Sequence, residues 1–222
     1  MRAPGEIDYL ARMVAPDVGV ITNIGQSHVG RLGTREAIAQ VKAELLGHIR
    51  GEGAAVLNAD DFFFSVLATM ARGPVVSFGL SPQAQFRAEE IVEEGLKGVR
   101  FRLVTPVGER DVRLAVPGRH NVLNALAAAA ATAQLGVNID NIAAGLAAHS
   151  GATMRMQRLP GRNGSTVISD TYNASPDSVA AALAVLAQTE GRRIFVFGDM
   201  LEMGAAGLPA HREVGERAHA AG

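Results

Sequence analysis

The stretch from Val18 to His28, VGVITNIGQSH, is a short β-branched run that ends in polar residues. Such a run predicts a buried strand over Val18–Ile24. Its polar end, Gln26-Ser27-His28, then lies at the carboxyl end of the strand, the edge of an α/β sheet at which ligands bind. This segment therefore predicts both the fold class and the location of the functional site.

Helices and further strands follow in alternation. Thr34 can cap a helix over about Arg35–Ile49, whose apolar residues form one stripe. The runs Ala54–Leu57 and Val75–Phe78 predict two more buried strands. From Phe86 to Val116, short alternating segments are separated by Gly and Pro, which predicts an added layer of antiparallel strands.

Two helices close this first part of the chain. Asn121–Leu135 is rich in Ala and is followed by Gly136, a residue that favours a helix end. Ile139–Ala148 predicts the second helix of a hairpin. We therefore expect residues 1–150 to form one α/β domain with a mostly parallel sheet, helices and the added antiparallel layer.

The pattern then restarts in residues 151–222. Thr166–Asp170 predicts a strand, about Ser175–Thr189 a helix, and Arg193–Phe197 a second strand. This succession predicts part of a second α/β domain, with a right-handed crossover if the two strands are parallel neighbours.

The composition excludes several classes of function. Lys and Arg together number 21 and Asp and Glu 22, so no basic surplus favours nucleic acid as a partner. The chain has no Cys, which excludes disulfides and thiolate metal sites and is compatible with a reducing cytosol. The longest apolar run, Leu123–Ala133, contains Asn124 and Thr132 and is too short to span a bilayer. We therefore expect a cytoplasmic protein without membrane insertion.

His28 and Lys42 form the first of four candidate clusters. A histidine at a strand end can offer a neutral imidazole to a divalent ion, and Lys42 follows it within the next predicted helix. Each residue alone is more often structural, His28 as a hydrogen-bonded loop residue and Lys42 as a solvated helix residue. Their position and pairing are what favour a site.

The second cluster, Gly118–Ala125, begins the Ala-rich helix. Asn121 and Asn124 are spaced i, i+3, so their amides share one face of the first turn and can offer donors and acceptors to a nucleobase. The alternative is that Asn121 is an N-cap and Asn124 an ordinary polar residue of the first turn.

The third and fourth clusters lie in the second part of the chain. Ser169–Ser178 joins a strand end to a helix, and Asp170 could accept hydrogen bonds from ribose hydroxyls, although a turn with an N-cap explains the segment nearly as well. Arg155 is a free cation well placed to touch phosphate. The fourth cluster, Phe197–Gly204, is on physical grounds only a connection from strand to helix.

One segment imitates a phosphate-binding loop. Gly161–Thr166 matches the second half of such a loop in outline but lacks its Lys, and a hairpin turn between Arg158 and Thr166 explains it better. Neither G-x-x-G-K-[ST] nor G-x-G-x-x-G occurs in the sequence.

In this order and at these separations, the four clusters resemble those of the Mur ligases, ATP-dependent enzymes that form amide bonds in bacterial cell-wall synthesis. The similarity runs along essentially the whole chain. Tyr172-Asn173 and Gly198-Asp199-Met200 favour the member that adds D-alanyl-D-alanine to UDP-N-acetylmuramoyl tripeptide. The segments that carry the resemblance are Pro4-Gly5-Glu6-Ile7, Ile21–Leu46, Asn58-Ala59-Asp60-Asp61, Pro117–Ala127, Asp170–Ser178 and Gly198–Gly204.

The resemblance implies a fold, cofactors and roles for individual residues. It implies a central ATP-binding domain in residues 1–150 and part of a Rossmann-like C-terminal domain in residues 151–222, with ATP and Mg²⁺ as cofactors. His28 would bind Mg²⁺, and Lys42 would be carbamylated to give a second, carboxylate-like ligand; both would be catalytic. The other implied contacts with ATP are those of His120, of Asn121 and Asn124 with adenine, of Asp170 with ribose and of Arg155 with phosphates. Contacts with the other substrates are implied for Asn23, Tyr172, Asn173 and Asp199.

The implied reaction is ADP-forming amide synthesis. ATP phosphorylates the terminal carboxylate of the tripeptide, and the amine of D-Ala-D-Ala attacks the acyl phosphate. The partners would be these small molecules, and the parent enzyme would be a monomer. The family's N-terminal UDP-binding domain, its Gly-Lys-Thr loop, one metal-binding Glu and the end of its C-terminal domain are not in the sequence, so we expect the chain alone to be inactive.

Two other interpretations stay open. The chain could belong to another Mur-type ligase, such as the one that adds the third amino acid or a relative that glutamylates folate. It could also be a noncatalytic nucleotide-binding module without a phosphate loop. Sequence upstream and downstream would distinguish the first alternative, because we expect part of the amino-acid-binding residues to lie there. Binding of Mg·ATP without turnover would distinguish the second.

Overall fold

The computed structural model describes Met1 and residues 3–221. Its main feature is one mixed sheet of six strands, in which β1 to β4 are parallel neighbours and β4, β5 and β6 are antiparallel. The antiparallel strands predicted as an added layer therefore extend the edge of the same sheet. The strands are β1 Val18–Ile21, β2 Ala54–Asn58, β3 Val75–Gly79, β4 Phe86–Glu93, β5 Val99–Thr105 and β6 Gly108–Leu114.

Eight α-helices occur in the described residues, together with a second, two-stranded sheet. That sheet pairs β7, Gln157–Pro160, with β8, Thr166–Ser169. A 3₁₀ segment, Glu44–His48, directly continues α3. The helices are α1 Glu6–Val14, α2 Val29–Leu32, α3 Arg35–Ala43, α4 Phe64–Met70, α5 Arg119–Ala133, α6 Ile139–Ala148, α7 Pro176–Ala187 and α8 Gly207–Ala220.

Strand β2 lies at the centre of two cores, one on each face of the sheet. All of its residues, Ala54–Asn58, are buried. Val56 joins the core that contains Val122 of α5, and Leu57 joins the core that contains Ile38 of α3. A strand buried on both faces needs apolar residues in succession rather than in alternation, which explains the unbroken apolar run in the sequence.

Helix α5 packs along one face of the sheet, against β1 to β5. Val122, Leu126, Ala129 and Ala130 are completely buried there. The small alanine side chains let the helix backbone approach the strands closely, while Leu126 fills the space between them. The Ala-rich composition is thus a packing requirement of this face.

The last part of the chain has a core of its own. Ser175 caps α7 in a capping box, with Pro176 in the first turn, and the apolar faces of α7 and α8 bury Leu183, Met203 and Val214. The hairpin of β7 and β8 confirms that Gly161–Thr166 is a turn and not a phosphate-binding loop.

The strand predicted at Arg193–Phe197 is wrong, since these residues form no regular structure. Ile194 and Val196 expose 67% and 89% of their surface. A β-branched segment becomes a strand only where a neighbour accepts its backbone hydrogen bonds and a core covers one face. Here β8 pairs with β7, so the parallel strand pair and its crossover are absent from the described residues.

Three predicted boundaries also move. Strand β1 ends at Ile21 instead of Ile24, and the helix predicted to reach Ile49 changes to 3₁₀ geometry after Ala43. Helix α5 begins at Arg119, with Gly118 in the cap position at φ 94°. Asn121 is therefore inside the first turn and is not the N-cap.

No helix in the described part of the chain is both long enough and apolar enough to cross a membrane.

Replacement of a core leucine tests the packing of α5. We expect Leu126→Ala to lower the free energy of unfolding by about 2–5 kcal/mol, because it removes a fully buried side chain and leaves a cavity against the sheet. Leu135→Ala, just beyond the same helix and 66% exposed, is the matched control and should change the free energy by less than about 0.5 kcal/mol. Urea denaturation measures both, and equal losses would contradict this account of the core.

Candidate functional site

The loop that follows β1, Thr22–His28, is held in place by side chains from other elements. Asn58 Nδ2 donates to the Thr22 carbonyl at 3.0 Å, and Asp61 Oδ2 accepts from the Ile24 amide at 2.6 Å. Arg35 Nη2 donates to the Ile24 carbonyl at 2.8 Å. The chain stops pairing with β2 after Ile21, and these side-chain contacts replace the backbone hydrogen bonds that a longer strand would have made.

Lys42 contacts the same loop. Its Nζ donates to the Asn23 carbonyl at 2.7 Å, and its side chain is half-buried on α3. Burial lowers the pKa of Lys42 below its ordinary value, because an ammonium loses hydration there, and the nearby Asp61 carboxylate partly opposes this. The environment thus favours the neutral amine more than a solvated helix surface would.

His28 stands at the end of this loop in a left-handed backbone conformation, φ 69°. Its Nδ1 lies 2.7 Å from Glu202 Oε2, and Glu202 Oε1 accepts from Arg31 Nε at 2.7 Å. These hydrogen bonds, the one from His28 first, lower the pKa of Glu202. Because a carboxylate only accepts hydrogen bonds, Nδ1 carries the proton, and a neutral His28 presents the lone pair of Nε2.

His28 and Lys42 can supply part of a metal site. Met1 and residues 3–221 contain no group of three or more His, Asp or Glu side chains that could hold an ion by themselves. Mg²⁺, however, usually keeps several waters and takes only one or two protein ligands together with phosphate oxygens. The oxygens of a modified lysine would suit that kind of shared site, with the imidazole nitrogen as a further ligand; a lysine amine without modification would not.

The start of α5 brings the two predicted asparagines together. Asn121 Nδ2 donates to the Pro117 carbonyl at 2.8 Å, and Asn124 Nδ2 donates to Asn121 Oδ1 at 3.2 Å. In these two contacts, Asn124 Oδ1 and one N–H of each side-chain amide are not used. The pair can therefore still offer a donor and an acceptor to the edge of a base.

His120 lies in the first turn of α5, and the Asp170 carboxylate is near enough to act on its charge. Burial lowers the pKa of His120, and the Asp170 and Glu93 carboxylates oppose the shift. Asp170 Oδ1 also accepts from the Met156 amide at 3.1 Å, so the strand end is tied to the segment that follows α6. The structure thus brings together residues that are fifty positions apart in the sequence.

Arg155 is not the free cation that the sequence predicts. Its guanidinium carbon lies 4.1 Å from the centre of the exposed Tyr172 ring, a cation–π contact. Met154 and Met156 on either side have positive φ angles, 60° and 47°, which L residues seldom adopt. Arg155 and Arg158 also line a cleft of about 580 Å³ beside Pro117 and Ile168.

The remaining predicted substrate residues are more dispersed. Asn23 and Asn173 have exposed side chains. Asp199 is also exposed, and its Oδ1 lies 3.8 Å from His211 Nε2. Among the described residues, no recorded side-chain contact connects Asn173 or Asp199 to His28 or to Asn121.

Sequence reasoning missed the residues that position the others. Asp61, Asn58 and Arg35 hold the loop after β1, and Glu202 holds His28. Two of these four lie in Asn58-Ala59-Asp60-Asp61, one in Gly198–Gly204 and one in Ile21–Leu46. All three segments carry the resemblance, but none of the four residues was assigned a role. Their roles depend on which strand ends and loops become neighbours, which only the fold reveals.

Comparison with known protein families matches almost the whole chain. The Mur ligase middle domain matches residues 1–132, and the Mur ligase glutamate ligase domain matches residues 154–222. The UDP-N-acetylmuramoyl-tripeptide–D-alanyl-D-alanine ligase of Mycobacterium tuberculosis (strain ATCC 25618 / H37Rv) is 38% identical over 98% of this chain and 44% of its own length. The ligase of the same name from Escherichia coli (strain K12) is 36% identical over 98% of this chain and 48% of its own length.

Solved structures give the same result. MurF from Acinetobacter baumannii superposes with a TM-score of 0.93 at 36% identity, over 99% of this chain and 48% of that one. MurF ligase from Thermotoga maritima in complex with ADP has a TM-score of 0.85 at 26% identity, over 97% and 49% of the two chains. The chain thus spans about half the length of the relatives that it matches. Since the middle-domain family alone covers more than half of its residues, this chain is a member of the Mur ligase family.

Proposed function

We propose that the chain is the part of a cytoplasmic, monomeric ATP-dependent ligase that holds the adenine and the metal, and that the enzyme adds D-Ala-D-Ala to UDP-N-acetylmuramoyl tripeptide. The names of the relatives support the reaction. The observation that carries the proposal is the loop Thr22–His28, which side chains from other elements hold in place. His28 stands at the end of this loop, and the amine of Lys42 donates to its backbone. Residues 1–150 would be the central domain and residues 151–222 part of the C-terminal domain.

The nucleotide would bind at the start of α5. Asn121 and Asn124 would contact adenine with their unused donor and acceptor groups, next to the half-buried His120. Asp170 would accept from ribose, since it lies near His120. The ADP complex of the Thermotoga maritima relative supports a nucleotide in this family.

Arg155 would reach the phosphates only after it leaves Tyr172. The stacked position stabilises the cation without phosphate, and the exposed contact is weak enough to be exchanged for a charge-assisted hydrogen bond. Tyr172 and Asn173 would then be available to the peptide substrate, together with Asn23 and Asp199 from the neighbouring loops.

His28 and carbamylated Lys42 would hold Mg²⁺. When bound, the ion stabilises negative charge on the phosphoryl group that is transferred. Carbamylation forms a bond between the neutral lysine nitrogen and the carbon of CO₂ and releases one proton, so a lysine with a lowered pKa is well suited to it. The carboxylate-like product would replace the amine's donation to the Asn23 carbonyl with an anionic ligand.

Carbamylation of Lys42 can be observed directly, since the chain contains only two lysines, Lys42 and Lys97. We expect a lysine carbamate signal in ¹³C NMR spectra of the chain in ¹³C-bicarbonate. Lys42→Arg should abolish it, because arginine cannot form the carbamate. Lys97→Arg, at an exposed position, is the control and should leave the signal unchanged. If the signal persisted in Lys42→Arg and disappeared in Lys97→Arg, the carbamate would lie on Lys97, which would contradict the proposal.

The adenine contacts predict a change in nucleotide affinity. We expect Asn121→Ala and Asn124→Ala each to weaken Mg·ADP binding roughly 3- to 10-fold, as expected for a lost hydrogen bond of about 0.7–1.4 kcal/mol. Isothermal titration calorimetry measures the change. Asn141→Ala, on an exposed position of α6, is the matched control and should bind like the unmodified chain. Equal affinity in all four proteins would remove the asparagine pair from the site.

Reconstitution tests the reaction itself. The sequence contains no G-x-x-G-K-[ST] loop, so we expect the chain alone to release no ADP, because nothing in it would cradle the transferred phosphate. Addition of a recombinant N-terminal half of the Escherichia coli relative should give ADP release that requires both UDP-N-acetylmuramoyl tripeptide and D-Ala-D-Ala. Lys42→Arg in the same mixture is the inactive control. Binding without turnover would instead favour a noncatalytic module.

A further inference from the structure

Helix α2 is the point at which the last part of the chain contacts the loop after β1. The Gly30 amide donates to the Glu202 carbonyl at 2.9 Å, and Val29 packs against the core formed by α7 and α8. A Cβ at Gly30 would lie 2.4 Å from both the Glu202 carbonyl oxygen and the Gly204 nitrogen. Only glycine permits this approach of the two backbones.

The two residues that face each other across this contact are both in an unfavourable backbone conformation. His28 has φ 69° and Glu202 has φ 62°. L residues seldom occupy this region, and where they do, surrounding contacts hold them there, often at functional sites. His28 and Glu202 have one such contact in common, the 2.7 Å hydrogen bond between their side chains.

The Glu202 carboxylate is itself fixed in orientation. Arg31 binds its Oε1 while Oε2 accepts from His28, so each oxygen has its own partner. A carboxylate held in this way cannot rotate freely, and it selects the His28 tautomer with the proton on Nδ1. A second group that fixes the tautomer of a histidine also fixes which nitrogen remains free to bind a ligand.

We propose that Glu202 is a positioning residue that sets the tautomer and ring orientation of His28, and that it does so only when the segment after α7 is docked on α2. The inference rests on the proposed role of His28 as a ligand. Docking of the segment after α7 on α2 would thereby fix the orientation of His28, which lies in residues 1–150.

The tautomer of His28 is the direct readout. Long-range ¹H–¹⁵N correlation spectra of the neutral imidazoles distinguish Nδ1–H from Nε2–H, and the loss of one signal in His28→Gln assigns the residue. We expect the unmodified chain to hold the proton on Nδ1, and Glu202→Ala and Glu202→Gln to lose most of this preference. Glu213→Ala breaks an exposed ion pair on α8 and is the control that should leave His28 unchanged. An unchanged tautomer in both Glu202 variants would overturn the proposal.

A second variant approaches the contact from the other side. Gly30→Ala keeps the Glu202 carboxylate but separates the two backbones, so His28 should lose its Nδ1–H preference as it does in Glu202→Ala. Gly145→Ala, on α6 where a Cβ meets nothing within 4 Å, is the control. A Gly30→Ala chain whose His28 tautomer matches that of the unmodified chain would overturn the dependence on docking. Since either set of variants decides the tautomer question, failure of one to fold leaves the other as the test.

The same proteins separate this proposal from the proposed function. If the chain binds Mg·ADP in the titration but His28 does not respond to Glu202, the positioning role fails and the nucleotide site stands. If His28 responds to Glu202 but the chain binds no nucleotide, the positioning role stands and the proposed function fails.

Discussion

Strand β2 is buried on both faces, and its parallel neighbours must therefore keep a register in which alternate residues enter two different cores. A slip of one residue would exchange Val56 with Leu57 and disturb both cores at once. This register sets the carboxyl ends of β1 and β2 side by side. Asn58 and Asp61 can reach the loop after β1 only because of that alignment.

The loop after β1 sets the positions of the candidate site residues relative to the sheet. It is too polar to continue the ladder, yet it is not free, because side chains from β2, from the turn after it and from α3 bind its backbone groups. Lys42 is part of the same arrangement, and its lowered pKa follows from being enclosed there. Lys42 thus both supports the loop and has a shifted pKa, which links the rigidity of the site to its reactivity.

The sequence predicts the elements that local physics determines. The apolar run of β2, the Thr34 cap, the capped start of α7 and the turn between Arg158 and Thr166 all appear as expected, because each depends on neighbouring residues. The strand at Arg193–Phe197 fails because it needs a partner that the pattern cannot supply. Glu202 could not be predicted from the pattern either, because its contact with His28 spans 174 positions and no spacing rule reaches that far.

The stacking of Arg155 on Tyr172 has an optical consequence. The chain has no tryptophan and only two tyrosines, so its fluorescence above the weak emission of phenylalanine comes from Tyr9 and Tyr172. Both rings are exposed, but among the described residues only the Tyr172 ring contacts a guanidinium, whereas Tyr9 on α1 supplies a constant background. Any ligand that draws Arg155 away changes the surroundings of one fluorophore of the two. The protein therefore carries an internal reporter for the movement of Arg155 in the segment between α6 and β7, and no dye or label has to be attached.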